Sequence, residues 1–181
     1  MEDFSIFQMK HQYFLDRTNG HITRVQNWAT RIVKEFPEHE QLMKEVALHD
    51  ASKFKAPELE KYVEITWYYK MKAEGVDYPF DPSLNDATFH HVKNNKHHPE
   101  YWDENATEKS INSKDRDEPS GYIVDATKMP LLHIAHMCAD WMSMSEERGG
   151  NPVKWADDNV GVRWNFDEQQ IAFMYNILNT I

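Results

Sequence analysis

The stretch PLLHIAHMCADWMSMSEERGG, Pro130 to Gly150, decides how the rest of the chain is read. Pro130 suits a first helical position, where its missing N–H is no loss, and Gly149-Gly150 supplies a stop, so the spacing predicts one apolar helix to about Glu147. Within it His133, His136 and Asp140 fall at i, i+3 and i+7 and share a face. A carboxylate in such apolar company is costly unless a cation or hydrogen bonds compensate it. The helix therefore announces both an all-helical core and a polar site built into it.

Working outward, apolar residues recur at helical spacing along nearly the whole chain, no alternating strand of useful length is visible, and only six glycines could punctuate hairpins. The class expected is all-α, a compact single-domain helical bundle over 1–181. A first helix is expected from Phe4 to Asp16, and a second, capped by Thr18 or Asn19 and ended by Pro37, would carry His21, Val25, Trp28, Ile32 and Val33 inward. A third, from about Glu38, aligns Leu42, Val46 and His49 at i, i+4 and i+7. Pro57 reads as the first-turn proline of a fourth helix, Leu59 to about Lys72. A fifth begins near Ser83 or Asp86 and stops at His97 or His98, because Pro99 disfavours helical geometry in the residue before it. Residues 103–121 read as a long exposed polar loop. A last helix is expected from Asp167 to Leu178, and its apolar residues Ile171, Phe173, Met174, Ile177, Leu178 and Ile181 suit either a core or the face of a homo-oligomer.

Composition excludes some functions. With 20 Lys and Arg against 30 Asp and Glu the chain carries a formal charge of −10, a poor match for a phosphate backbone, so no nucleic-acid polymer is expected as partner. No run approaches the roughly 20 apolar residues of a membrane helix, and Met1-Glu2-Asp3 lacks the basic start of a secretory signal, so a soluble, cytoplasmic protein is expected. The single cysteine, Cys138, reads as a buried thiol. The unusual feature is histidine: ten residues, eight of them in tight groups, which points to a metal.

The pair His49-Asp50 could bind one divalent cation where a helix end turns both side chains to one point; alone, it reads equally as a core histidine beside a capping aspartate. His21 lies one helix upstream and Asp140 far downstream. His136 could be a ligand or could orient one. Between them lies FHHVKNNKHHPEYW, residues 89–102, with His90, His91, His97, His98 and Glu100. Along a continuous helix His91 and His98 would stand about 10 Å apart, too far for one ion with metal–nitrogen bonds near 2.1 Å. Either the helix ends first or two metals are involved.

The order His21, His49-Asp50, His91, His98, Asp140 resembles the HD-domain superfamily of metal-dependent phosphohydrolases, and the resemblance spans most of the chain. It implies a helical core holding one metal through His21, His49, Asp50 and Asp140, and a second through the intervening histidines. The run His49-Asp50-x-x-Lys53 is similar to that of two-metal phosphodiesterases and of a related di-iron oxygenase branch. His97-His98 followed by Glu100 and Trp102 is similar to the His-His-Glu stretch of the phosphodiesterases, although the Gly-Tyr-Pro run that closes their motif is absent. Stretches around Ser52-Lys53-Phe54, Pro99-Glu100-Tyr101-Trp102 and Asp140-Trp141-Met142 also resemble a group of small phage and bacterial proteins without a known activity.

The resemblance implies a metal-dependent phosphohydrolase acting on a small nucleotide or related phosphate ester. His21, His49, Asp50, His91, His98 and Asp140 would be ligands, with His90, His97, His133, His136 and Glu100 around them. Lys53 would neutralise charge on the phosphoryl group, beside Asp50. Imidazole and carboxylate ligands accept Mn, Fe, Ni, Co or Zn alike. Lys93, Lys96, Lys109, Lys114 and Arg116 are candidates to steer an anionic substrate, and Trp67, Tyr68, Tyr69, Tyr101 and Trp102 to stack on a base. A di-iron oxygenase and a non-catalytic metal-binding or host-interaction protein are the competing readings.

Overall fold

A computed structural model describes residues 2–111 and 120–181. The chain is all-α: the described residues form eight helices, α1 (Glu2–Glu35), α2 (Leu42–Val46), α3 (Leu59–Ala73), α4 (Asn85–Asn94), α5 (Glu108–Ile111), α6 (Leu131–Arg148), α7 (Pro152–Asn159) and α8 (Glu168–Thr180), with short 3-10 turns between the first five. The strands described are two residues each, β1 (Val124–Asp125) and β2 (Trp164–Asn165), paired in parallel with Val124 opposite Trp164. They are too short for any alternation to be legible in sequence.

The chain's first 35 residues correct the expected boundary. Instead of two helices meeting at Thr18-Asn19 there is one, because the inward stripe runs unbroken through Phe14, Thr18, His21, Val25, Ala29 and Ile32, all buried. Thr18 is therefore not a cap but a member of that stripe. Burial of the stripe outweighs the capping tendency of one Thr-Asn pair, since tertiary packing supplies most helical stability.

The central element is α6, buried on nearly every side from His133 to Ser143, as expected of a helix apolar all round. It packs against α1 on one flank and α8 on another. Gly149 closes it in the left-handed conformation, φ 66°, and the amides of Gly149 and Gly150 both reach the Ser145 carbonyl. Asp167 and Gln170 form a reciprocal capping box on α8. The buried face of α8, with Met174, Ile177 and Leu178, belongs to the main core, and Ile171, Phe173 and Ile181 pack against it. That apolar face is thus taken by the chain's own core.

Ile32 is fully buried in this core between α1 and its neighbours. Ile32→Ala is expected to cost about 2–5 kcal/mol; a urea midpoint unchanged from the parent would contradict the packing described.

Part of the expected loop over 103–121 lies within the described residues. Asp103, buried, accepts bonds from the Asn105 amide (2.8 Å), the Tyr122 hydroxyl (2.8 Å) and the Asp125 amide (3.0 Å), tying the base of the excursion to β1. The helix α5 follows, and 112–119, with Lys114 and Arg116, lie outside the described residues. Among the described residues no helix is long and apolar enough to cross a membrane.

Candidate metal centre

Three segments converge beside α6. The first contribution is His21 from the buried stripe of α1; its Nδ1 lies 3.0 Å from Ser143 Oγ on α6. The Ser143 hydroxyl is also 3.4 Å from the His21 carbonyl, to which it can donate, so its oxygen is left to accept from Nδ1–H. That tautomer aims a bare Nε2 into the site.

His49 and Asp50 come next, at the end of the α2 segment. Asp50 has φ 58° and ψ 10°, the left-handed conformation that aspartate tolerates better than most residues. This reversal lets adjacent side chains face one point. His49 Nε2 lies 3.0 Å from His21 Nε2, and His49 Nδ1 lies 3.0 Å from His136 Nε2. Asp140, projecting from α6, has Oδ1 3.1 Å from His21 Nε2 and 4.0 Å from His49 Nε2. Asp50 Oδ2 stands 3.7 Å from both of those imidazole nitrogens.

The third segment resolves the spacing of His91 and His98. Helix α4 ends at Asn94 and Asn95 is extended (φ −116°, ψ 117°), its side-chain amide bonding the His91 carbonyl at 2.8 Å. His98 is extended too, as the residue before Pro99. The chain folds back, and the His91 and His98 rings approach to 4.9 Å between centroids. His97 comes in with them, 4.2 Å from the His98 ring and 4.4 Å from that of His49. On the far side of His91, Nε2 sits 3.1 Å from Asp50 Oδ1.

The 3.0–3.1 Å separations among His21, His49 and Asp140 and between His91 and Asp50 are those of ligands sharing an ion, while Asp50 Oδ2, at 3.7 Å from His21 and His49, stands slightly farther off. Two atoms each about 2.1 Å from a metal, at angles between octahedral and tetrahedral, lie about 3.0–3.4 Å apart. Three groups have candidate ligand atoms within 4.8 Å of one another: His21 with His49 and Asp50; His91 with His97 and His98; and His49 with His97 and His136. The ring nitrogens Nε2 of His91, His97 and His98 are buried without a hydrogen-bond partner among the described residues. Bare lone pairs turned toward one another are unfavourable unless a cation lies between them. The donor set therefore fits a divalent transition metal.

Electrostatics keeps most of these side chains in binding form, with His91 the exception. Burial lowers His49 to about 4, Asp50 and Asp140 offsetting it only in part, and lowers His136 to about 3; it also holds His97 and His98 well below the ordinary 6.5. Burial alone would raise Asp50 and Asp140. Lys53, His49 and His91 hold Asp50 well down, and the His21 ring beside it does the same for Asp140. For His91, burial and Lys53 pull downward, but bonds to Asp50 and Glu58 leave it raised.

A pH dependence follows. Lowered histidines stay neutral in the folded chain while the unfolded chain takes up protons near 6.5, so their contribution is present above that pH and lost as pH falls toward about 4. His91 acts oppositely, its contribution fading as pH rises, but it is one ring against five, His49, His97, His98, His133 and His136. The urea midpoint of metal-free protein is expected to fall steadily from pH 7 to pH 4; a midpoint that is flat or rises toward pH 5 would contradict this.

The structure places the remaining expected residues as follows. Lys53 Nζ is 2.6 Å from Asp50 Oδ2 and 4.9 Å from the centre of the Tyr62 ring. His90 is turned away from the centre, Nδ1 2.7 Å from Glu58 Oε1. His133 faces the Trp102 ring and, at 3.9 Å, Glu45. Glu100 is not brought to the histidines; it accepts from Trp164 Nε1 at 2.7 Å, and burial raises its pKa. Lys93 bonds the carbonyls of Glu100 and Asp103, so it is a clamp on the chain rather than a steering charge. Lys96 and Lys109 are exposed. Trp67 packs edge-on against Tyr13, Tyr68 against Phe80, and Trp102 against the core, with Nε1 on the Lys96 carbonyl. Cys138 is buried, which pushes its thiol up and keeps it unreactive.

Sequence reasoning missed Glu58, fully buried, whose carboxylate meets His91 Nδ1 (2.9 Å), His90 Nδ1 (2.7 Å) and Ser52 Oγ (2.9 Å). It also missed Ser143 and Asn95. A glutamate directly after Pro57, ahead of a helix, was the one available signal.

A family model described as a family of unknown function, DUF5662, matches residues 10–180, and the chain belongs to that family. Neither the search of curated proteins nor that of solved structures returned a match.

Proposed function

We propose that this DUF5662 chain is a metal-dependent phosphohydrolase of the HD type, acting on a small nucleotide or related phosphate ester. The observation that carries the reading is Asp50: one carboxylate oxygen stands 3.1 Å from His91 Nε2 while the other stands 3.7 Å from His21 and His49 Nε2. One buried carboxylate thus serves two adjacent clusters, the arrangement expected of a bridging ligand between two ions. His21, His49, Asp50 and Asp140 would hold the first ion, and Asp50, His91, His97 and His98 the second. Divalent ions bound there supply a water-derived nucleophile near neutral pH and positive charge for the phosphoryl oxygens.

The chain's own residues do the rest. Lys53, with its side chain 18 % exposed, carries a positive charge at the rim of the centre, where a phosphoryl oxygen can displace Asp50 as its partner. Asp140, at 16 %, is the most open of the proposed ligands in the first cluster, so its side of the centre is the one open to an incoming water or substrate. Burial of the remaining ligands excludes bulk water from their lone pairs and strengthens every electrostatic contact inside. The chain's −10 charge repels an anion at long range, so local reversal of the field by bound cations and Lys53 is what admits a phosphate ester.

The test is release of inorganic phosphate from nucleoside mono-, di- and triphosphates with Mn, Fe, Ni, Co or Zn supplied singly. Metal-dependent release supports the reading. No release with any metal overturns it, and oxygen consumption by the iron-loaded protein would put the oxygenase reading in its place.

A further inference from the structure

We propose that Glu58 is the positioning residue of the second cluster: its carboxylate fixes His91 in the tautomer whose Nε2 faces Asp50 and the second ion position. The inference rests on the metal reading above. It starts from a plain anomaly, a glutamate with no solvent exposure in a chain whose other acidic side chains outside the metal cluster mostly face water. Lys, Glu, Arg and Asp are almost never fully buried unless paired. Among the described residues its side-chain partners are His91 in the metal centre, Ser52 beside it and His90 on the outer side.

Oε2 lies 2.9 Å from His91 Nδ1 and 2.9 Å from Ser52 Oγ, and Oε1 lies 2.7 Å from His90 Nδ1. An ionised carboxylate can only accept, so all three neighbours donate to it, and the proton of neutral His91 is on Nδ1. Its Nε2 is then a lone pair 3.1 Å from Asp50 Oδ1, a pairing of two acceptors that a cation between them makes favourable. Were the proton on Nε2, Nδ1 and the carboxylate would face each other as two acceptors at 2.9 Å. Carboxylate–histidine–metal triads work in this way, and losing the outer partner typically costs 10–100-fold in metal affinity.

The two imidazoles of the first cluster have different outer partners, Ser143 for His21 and His136 for His49. Glu58 therefore acts on one side of the centre only. His90, on the outer side of α4 with its side chain 39 % exposed, holds the second oxygen and keeps the carboxylate plane turned to His91. Ser52, two residues past Asp50, joins the same carboxylate to the left-handed turn that sets the first cluster.

The experiment uses the full chain and Mn(II) alone, at pH 8. Glu58→Leu removes the acceptors and keeps an apolar side chain of similar length. Glu58→Gln preserves shape and folding should Leu be tolerated poorly. Two readouts are taken: Mn(II) affinity by calorimetric titration, and the tautomer of His91 in the metal-free chain from its imidazole nitrogen shifts. The expected result is a second Mn(II) bound about tenfold or more weaker, the first within twofold of the parent, and a His91 population moved toward the Nε2–H form, more fully in Leu than in Gln. An unchanged tautomer in Glu58→Leu, or in Glu58→Gln if Leu does not fold, overturns the proposal. So does a second-ion affinity within twofold of the parent. Should the parent bind no Mn(II), the metal reading fails by itself, and the tautomer measurement still decides the role of Glu58.

Discussion

Replacing Asp50 with alanine is expected to empty both ion positions and to reduce phosphate release by about a thousandfold, well beyond the 10–100-fold that loss of an outer hydrogen-bond partner brings. The size of the effect comes from the shared position of this side chain: its two oxygens face opposite clusters, so no other single change removes a ligand from each. Stability responds in two ways. Lys53 loses its buried partner, but with 18 % of its side chain exposed it can turn to water. Alanine at φ 58° adds about 1–2 kcal/mol of left-handed strain that aspartate bears more easily. Asp50→Asn separates these contributions, because asparagine tolerates that conformation and keeps the shape while giving up the charge. Both variants should fold and lack metal. Metal content and phosphate release at parental levels in either would sink the bridging assignment.

The second large effect is on stability. Without cations the centre gathers several neutral imidazoles and two ionised carboxylates with lone pairs turned inward, an arrangement that a metal relieves. A ligand at 100 times its Kd stabilises the folded state by about 2.7 kcal/mol, so two ions give about 5 kcal/mol. At 2–4 °C per kcal/mol for a chain of this size, the melting temperature should rise by about 10–20 °C on metal addition and return with chelator. The Asp50→Asn variant should show almost none of this rise. A shift under 2 °C for Mn, Fe, Ni, Co and Zn alike would contradict a preformed metal centre and favour the reading in which the histidines are structural.

Much of this was legible before any coordinates, and the misses have identifiable causes. The apolar run of α6, bounded by Pro130 and Gly149, carried its own start and stop, and the structure follows it closely. The first helix was divided because Thr18-Asn19 looks like a cap; the inward spacing from Phe14 through Thr18 to His21 and Val25 was the stronger signal, and burial decided for it. His49, Asp50, His21 and Asp140 stand in an order that suggests a cluster, and the structure brings them together. His91 and His98 were harder, since their meeting depends on where α4 ends. Asn95, through its bond to the His91 carbonyl, breaks the helix earlier than Pro99 alone would. Glu58 was invisible because a single glutamate among lysines reads as solvated surface, and only the approach of α4 from 32 residues away in sequence buries it. Glu100 and Lys93 misled for the complementary reason. They sit beside the histidines in sequence, but the turn after Asn94 sends one to Trp164 and the other to backbone carbonyls.

The measurement that bears most directly on the centre is elemental analysis of the protein purified without chelator, read against protein concentration. The geometry predicts close to two transition-metal ions per chain, falling to near zero in Asp50→Asn. A parent protein with no bound transition metal, and none retained after incubation with Mn, Fe, Ni, Co or Zn, would contradict the account at its centre.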